Sequence, residues 1–262
     1  MRLNVIIVAT FLLLVAALRH PSTQLPGPRV GGTFIGAIIA EDGIVVGSDS
    51  RSTFLDTNRR HMGYVDGMQK IYVSKGAAVA ISGLTSVEGE LFPTFVARNS
   101  FLLDRSADEV LFGFSSWLPF ENSTGVLLLS AGFIKGKATV CVRSVVQPQA
   151  CRTNGVMANK PSPFLQTWIS QQKAPPKGAA AAAALKSAIL ESAATDATVG
   201  GPITLVQLRL DSAPVWIENP PRDAGWKTIC DLVRAYRAGL VRISPTTSKP
   251  DLDRFLGSTC TK

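Results

Sequence analysis

Two apolar runs, residues 34–40 and 43–48, flank Asp42-Gly43, and a turn signal between hydrophobic stretches predicts a β-hairpin. Both runs are apolar almost without interruption, which predicts strands covered on both faces. The first follows Gly31-Gly32-Thr33, and the second runs into Asp49-Ser50-Arg51-Ser52-Thr53. A hairpin folds the start of one strand beside the end of its partner. Thr33 and Asp49 are therefore predicted neighbours in space.

Residues 54–69 are polar and contain glycines, as a loop would, and 70–73 and 77–82 read as short strands closing on Ser82-Gly83-Leu84-Thr85. Two capping boxes follow, Thr85 with Glu88 and Ser106 with Glu109. The first predicts a helix to about Arg98, kinked or interrupted at Pro93. The second predicts one with Val110, Leu111, Phe114 and Trp117 on a core-facing stripe. Residues 125–130, 131–135 and 138–146 read as strands of a second sheet, with Lys135-Gly136-Lys137 as a turn, and 147–160 as irregular chain. After Pro175-Pro176-Lys177-Gly178, the alanine-rich stretch 179–194 predicts a helix. Thr195-Asp196-Ala197-Thr198-Val199-Gly200-Gly201, a strand over 203–210, a helix over 226–240 and a polar tail complete the order.

Composition narrows the class. Apolar residues make up 46% and charged residues 18% of 262, which describes a globular chain long enough for a sizeable core. Three of the 27 basic residues, Arg2, Arg19 and Arg29, lie in 1–32, which holds no acid, so the rest carries 24 basic against 19 acidic side chains. They form no run interleaved with aromatics, which argues against a nucleic-acid partner. Cys141, Cys151, Cys230 and Cys260 lack metal-ligand spacing. Cys141 and Cys151 would face each other across a hairpin, or they are reduced core thiols. With only His20 and His61, a histidine-based triad has little to build on, whereas an amine base needs none.

Residues 5–18 are apolar apart from Thr10 and end at Arg19-His20. Fourteen residues are short for a membrane span and suit the apolar core of a secretory signal peptide. An unusually apolar propeptide, or a wrongly assigned first exon, is the alternative. Asn122-Ser123-Thr124 is a glycosylation sequon, meaningful only on the secretory route.

Gly32-Thr33, followed sixteen residues on by Asp49-Ser50-Arg51-Ser52-Thr53, resembles the β-type subunits of the proteasome, which are N-terminal-nucleophile hydrolases. Lys70 at the start of the following strand, Gly83 at its closing turn, and Asp196 before Gly200-Gly201 extend the resemblance over about 31–240. It implies an α+β, four-layer αββα sandwich: a segment 1–32 that is removed, a catalytic domain 33–240 and a polar tail 241–262. It implies cleavage after Gly32, which frees Thr33 as nucleophile. Lys70 would be a nearby ammonium, with Asp49 as its charge partner. Asp196 would orient the amine, and the Gly83 N–H would stabilise the oxyanion. Thr53 would bind substrate backbone, while Ser52, Met68 and Ile81 would wall the first specificity pocket, whose apolar character leans toward cleavage after large apolar side chains. The family's supporting serines fall near Lys160, before Ser162-Pro163-Phe164, and at Val199, so both are replaced here.

The function implied is a threonine-type endopeptidase without cofactor or metal, assembled with other α- and β-type subunits in stacked rings and acting on peptides or unfolded proteins. The family's compartments are cytoplasm and nucleus; residues 1–18 point instead to the secretory route. A catalytically inactive ring subunit and a secreted amidohydrolase are the competing readings. The chemistry suits the residues. A threonine hydroxyl needs a base, and a free α-amine with pKa about 7.7–8.0 is partly neutral at physiological pH.

Overall fold

The turn at Glu41-Asp42 brings the two apolar runs together as β2 (Ile35–Ala40) and β3 (Gly43–Ser48), paired antiparallel from Ile35 with Ser48 to Ala40 with Gly43. In the computed structural model the described residues are 29–243, apart from Gly32, 56–60, 84–85, 88–89, 118–125, Val146, Pro161, 222–225 and Val241. The signal-like residues, Gly32, Thr85 with Glu88, the Asn122 sequon and the tail from Ser244 thus lie outside them.

β1 (Arg29–Gly31) precedes the hairpin, and β4 (Ser52–Leu55), β5 (His61–Val65), β6 (Ile71–Val73) and β7 (Ala77–Ser82) follow it. A short ribbon, β8 (Ser86–Val87) and β9 (Glu90–Leu91), leads into α1 (Phe92–Arg98) and α2 (Ala107–Phe114). Then come β10 (Leu127–Ile134), β11 (Lys137–Ser144), β12 (Ala150–Arg152), β13 (Val156–Ala158), α3 (Pro163–Ser170) and α4 (Gly178–Thr195). β14 (Thr204–Leu208), β15 (Val215–Glu218), α5 (Ile229–Arg237) and β16 (Arg242–Ile243) close the described chain.

Two five-stranded sheets form the centre, ordered β13-β2-β3-β14-β15 and β12-β11-β10-β7-β6. Side chains alternate across a strand, so each strand feeds two layers. Ile35, Ala37, Ile44 and Val46 pack between the sheets with Ala78, Ala80, Leu129 and Val140. Phe34, Ile38 and Val45 face outward beneath Ala181, Leu185 and Ala188 of α4. On the other side Val79, Ile81 and Leu128 lie beneath Phe92, Val110, Leu111 and Phe114. Each fully buried branched or aromatic side chain contributes about 1.5–3 kcal/mol. The result is the α+β helix–sheet–sheet–helix sandwich, with both hairpin faces covered as the apolar runs require. Asp42 then ties hairpin to helix: its carboxylate accepts the Gly178 N–H at 2.7 Å and Gln207 Nε2 at 3.0 Å.

Several local readings are corrected. The stretch 54–69, read as loop, contains β5 and the end of β4, which belong to a third sheet ordered β1-β4-β5-β16. Arg29–Gly31, read as lying outside the fold, form that sheet's β1, with Gly31 opposite Thr53. The helix placed from Thr85 starts only at Phe92; Pro93 sits in its first turn, where the missing N–H costs nothing, and does not kink it. The second capping box does form, Glu109 accepting from the Ser106 N–H at 3.1 Å. Residues 127–134 are one strand rather than two. The irregular stretch before Lys160 contains β12 and β13, three residues each, too short to leave a periodic signal.

Cys141 and Cys151 stand directly opposite on β11 and β12 and are joined as a disulfide, not as reduced thiols. Cys230 is also disulfide-bonded.

Candidate active site

Hairpin register sets the site. Asp49 follows the last residue of β3, and its N–H donates to the Phe34 carbonyl at 3.3 Å, so its carboxylate arrives beside Thr33. Asp49 Oδ1 accepts the Thr33 hydroxyl at 2.8 Å, the Phe34 N–H at 2.9 Å and Lys70 Nζ at 3.0 Å. Asp49 Oδ2 accepts the N–H of Gly200 at 2.8 Å and of Arg51 at 3.2 Å. Lys70 also donates to the Arg51 carbonyl. All three side chains are buried. An ion pair taken out of water is tolerated only when its remaining hydrogen-bonding capacity is filled, and five donors fill that of Asp49. Burial pulls the Lys70 pKa below the usual lysine value, opposed by the Asp49 charge and hydrogen bond. From sequence Asp49 was a partner for the lysine; in the structure it holds the threonine hydroxyl as well.

Gly200-Gly201, which would also read as a helix cap and turn, brings a second chain segment to the same carboxylate. A Cβ on Gly200 would lie 2.7 Å from the Arg51 guanidinium carbon. Gly201 has φ +73, and a Cβ there would lie 2.6 Å from Ser50 Oγ. Arg51 is fixed in turn by Asp66 at 2.8 and 3.0 Å, by the Tyr64 ring at 3.7 Å and by the Ala197 carbonyl at 3.2 Å.

Asn159, just after β13, was missed from sequence. Its Nδ2 donates to the Thr33 carbonyl at 2.9 Å and to Ser82 Oγ at 2.5 Å, and its Oδ1 accepts the Ile35 N–H at 2.8 Å. One amide thus clamps the residues on both sides of Phe34. A single asparagine in a stretch without visible periodicity gives no sequence signal for this.

Lys160 comes next, where the resemblance would place a supporting serine. Its ammonium pairs with Asp196 and donates to Thr198 Oγ1 at 3.2 Å. Asp196 Oδ1 also accepts the N–H of Thr198 at 2.8 Å and its hydroxyl at 2.6 Å. Burial raises the Asp196 pKa, but Lys160 and Thr198 outweigh it and hold the carboxyl below its usual value. Asp196 is therefore engaged by a lysine and a threonine that sequence reasoning did not assign. Val199, the other serine position, is buried in the core under α4.

The residues that the resemblance places on the substrate side divide. Thr53 sits on β4 opposite Gly31, and its buried hydroxyl has no hydrogen-bond partner among the described residues. Ser52 Oγ contacts Met68 Sδ at 2.9 Å, so those two meet. Ile81 does not join them: it is buried with Phe92 and Val96, whereas Met68 belongs to the cluster of Phe54, Val65 and Leu232. Gly83 has φ +91, a backbone state that favours glycine at the turn after β7. Among the described residues no group of three or more His, Cys, Asp or Glu is placed to hold a metal ion.

No family model and no curated protein matches the sequence. A solved structure of an Anbu (Gly-1) mutant from Hyphomicrobium sp. strain MC1 superposes with TM-score 0.50 at 14% identity, covering 80% of this chain and 95% of that one. At this identity the likeness speaks to the fold alone: the α+β helix–sheet–sheet–helix sandwich is shared with that structure.

Proposed function

We propose that this chain is a threonine-type endopeptidase subunit whose precursor is cut after Gly32, leaving Thr33 as nucleophile. One observation carries the reading: a single buried carboxylate, Asp49, joins the Thr33 hydroxyl to the Lys70 ammonium. In the uncut chain the Thr33 nitrogen belongs to a peptide bond and cannot act as base. After the cut the free amine takes the Oγ1 proton as Oγ1 attacks the scissile carbonyl, and that proton passes to the departing amine. The Gly83 N–H receives the developing oxyanion. Water then hydrolyses the ester on Thr33 and restores the hydroxyl. Lys70 supplies positive charge that lowers the proton affinity of amine and hydroxyl. The β-pairing of Arg29–Gly31 with β4 supports an extended peptide lying along Thr53.

The proposal extends to assembly with further subunits of this fold and to peptide or unfolded-protein substrates. Compartment enters as part of it. The Cys141–Cys151 disulfide and the bonded Cys230 support an oxidising compartment, in line with residues 5–18 and against the cytoplasmic route. The second reading, an inactive structural subunit, is favoured by Lys160 and Val199 standing where the family keeps serines.

The test is fluorogenic-peptide hydrolysis by protein produced with Thr33 as its first residue, alone and within whatever particle it forms. Hydrolysis that Thr33→Ala removes supports the enzyme. If wild type shows no such activity even when assembled, the enzyme reading fails and the structural subunit stands.

A further inference from the structure

Three ion pairs converge on the Thr33 site, each from a different pair of segments. Asp49 and Lys70 bind the hydroxyl side. Arg51 and Asp66 flank the loop that carries Gly200. Lys160 and Asp196 form the third, on segments tethered to the same centre: Asn159 binds the Thr33 carbonyl, and Gly200 binds Asp49. His61 and Tyr64 on β5 also face these pairs: burial, then Arg51, keep the His61 pKa low against the pull of Asp196, and Tyr64 acts on Arg51. The Lys160 charge is felt as far as Lys70.

We propose that Lys160 is a positioning residue of the Thr33 site, bracing Asp196 against Thr198 and cancelling its charge, so that the freed amine faces a neutral pair rather than a lone carboxylate. The proposal rests on the reading of Thr33 as an amine-assisted nucleophile. Each of the three pairs is neutral as a whole, so these six side chains together bring no net charge to the segments that meet at Thr33. Removing the lysine leaves Asp196 as one uncompensated negative charge. A negative neighbour stabilises the protonated amine and so withholds the base at neutral pH. A serine at this position could hydrogen-bond but could not cancel that charge. Lys160 therefore does more than fill the place of a missing hydroxyl: it keeps Asp196, on a segment tethered to this centre through Gly200, from acting as a lone negative charge on the base.

The experiment uses full-length mature chains beginning at Thr33: wild type, Lys160→Met, Lys160→Arg, and Lys160→Met combined with Asp196→Asn. The titration midpoint of the Thr33 amine is read by NMR on threonine-labelled protein, and the acid limb of kcat/KM by peptide hydrolysis. Lys160→Met should raise both by about one pH unit. Lys160→Arg should leave both in place, and the double variant should return them toward wild type. Should Lys160→Met not fold, Lys160→Gln removes the same charge. A midpoint unmoved in the folded methionine or glutamine variant overturns the proposal, whatever happens to turnover. If the midpoint moves as stated but no chain hydrolyses peptide, the role of Lys160 stands and the endopeptidase reading falls. If wild type hydrolyses peptide and the midpoint stays fixed, the reverse holds.

Discussion

The Thr33 hydroxyl donates to Asp49 Oδ1 across 2.8 Å, and the same oxygen accepts Lys70 Nζ at 3.0 Å. One carboxylate therefore fixes both the Thr33 hydroxyl and the Lys70 ammonium, and the two can be separated by mutation. Thr33→Ala removes one of five donors to a carboxylate that keeps its counter-ion. A single hydrogen bond lost in that way costs about 0.5–1.5 kcal/mol. Lys70→Ala leaves the Asp49 charge buried and unpaired, which costs about 3–5 kcal/mol. Both variants should lose peptide hydrolysis, but only Lys70→Ala should lower the thermal midpoint strongly. Equal midpoints would mean that the Asp49–Lys70 pair contributes nothing to stability.

Asn159→Asp tests the clamp. The variant keeps an acceptor for the Ile35 N–H but loses both donors, and a carboxylate oxygen would then face the Thr33 carbonyl. Thr33 should shift while the chain stays folded. A displacement of about 1 Å costs on the order of a hundredfold in rate. The expected result is a fall in kcat with KM little changed, and full activity would show that Asn159 does not position Thr33.

The centre of the site was legible because it is local in pattern. An Asp-Gly turn between two apolar runs fixes which ends meet, so the pattern alone makes Thr33 and Asp49 neighbours. Lys70, before a short apolar strand, followed from its place after that hairpin. Asn159, Lys160 and Thr198 were not legible as a set. They act through contacts across more than thirty residues, from segments whose strands or turns are too short to show a period. Ile81 packs with Phe92 and Val96, and Met68 with Phe54 and Val65, a division that the resemblance alone does not reveal. Pro93 illustrates the same limit, since a proline that ends one helix can equally begin another.

Cys141 and Cys151 give a prediction free of the catalytic reading. Mass spectrometry of unreduced protein should show them linked. Replacing both by alanine reopens a loop of ten residues, for which chain entropy predicts a loss of about 2–3 kcal/mol. A urea midpoint unchanged in the double-alanine variant would remove any stabilising role for the bridge.

The Asp196–Lys160 pair makes its own prediction for stability against pH. Burial raises the Asp196 pKa, the Lys160 and Thr198 hydrogen bonds lower it by more, and the folded carboxyl is held below its usual value. A carboxyl depressed on folding stabilises the native state fully above its unfolded pKa, and that contribution fades as pH falls through the folded one. The thermal-midpoint difference between wild type and Asp196→Asn should therefore be constant from about pH 7 to pH 5 and shrink below about pH 4. Its size should be modest and salt-sensitive, because the two side chains are 24% and 35% exposed and solvent screens them. Lys160→Met should flatten the dependence, since it removes the strongest contribution to the depression. A difference that grows as the solution is acidified would mean that folding raises the Asp196 pKa above its unfolded value, and with it that Lys160 does not hold the carboxylate in its charged form.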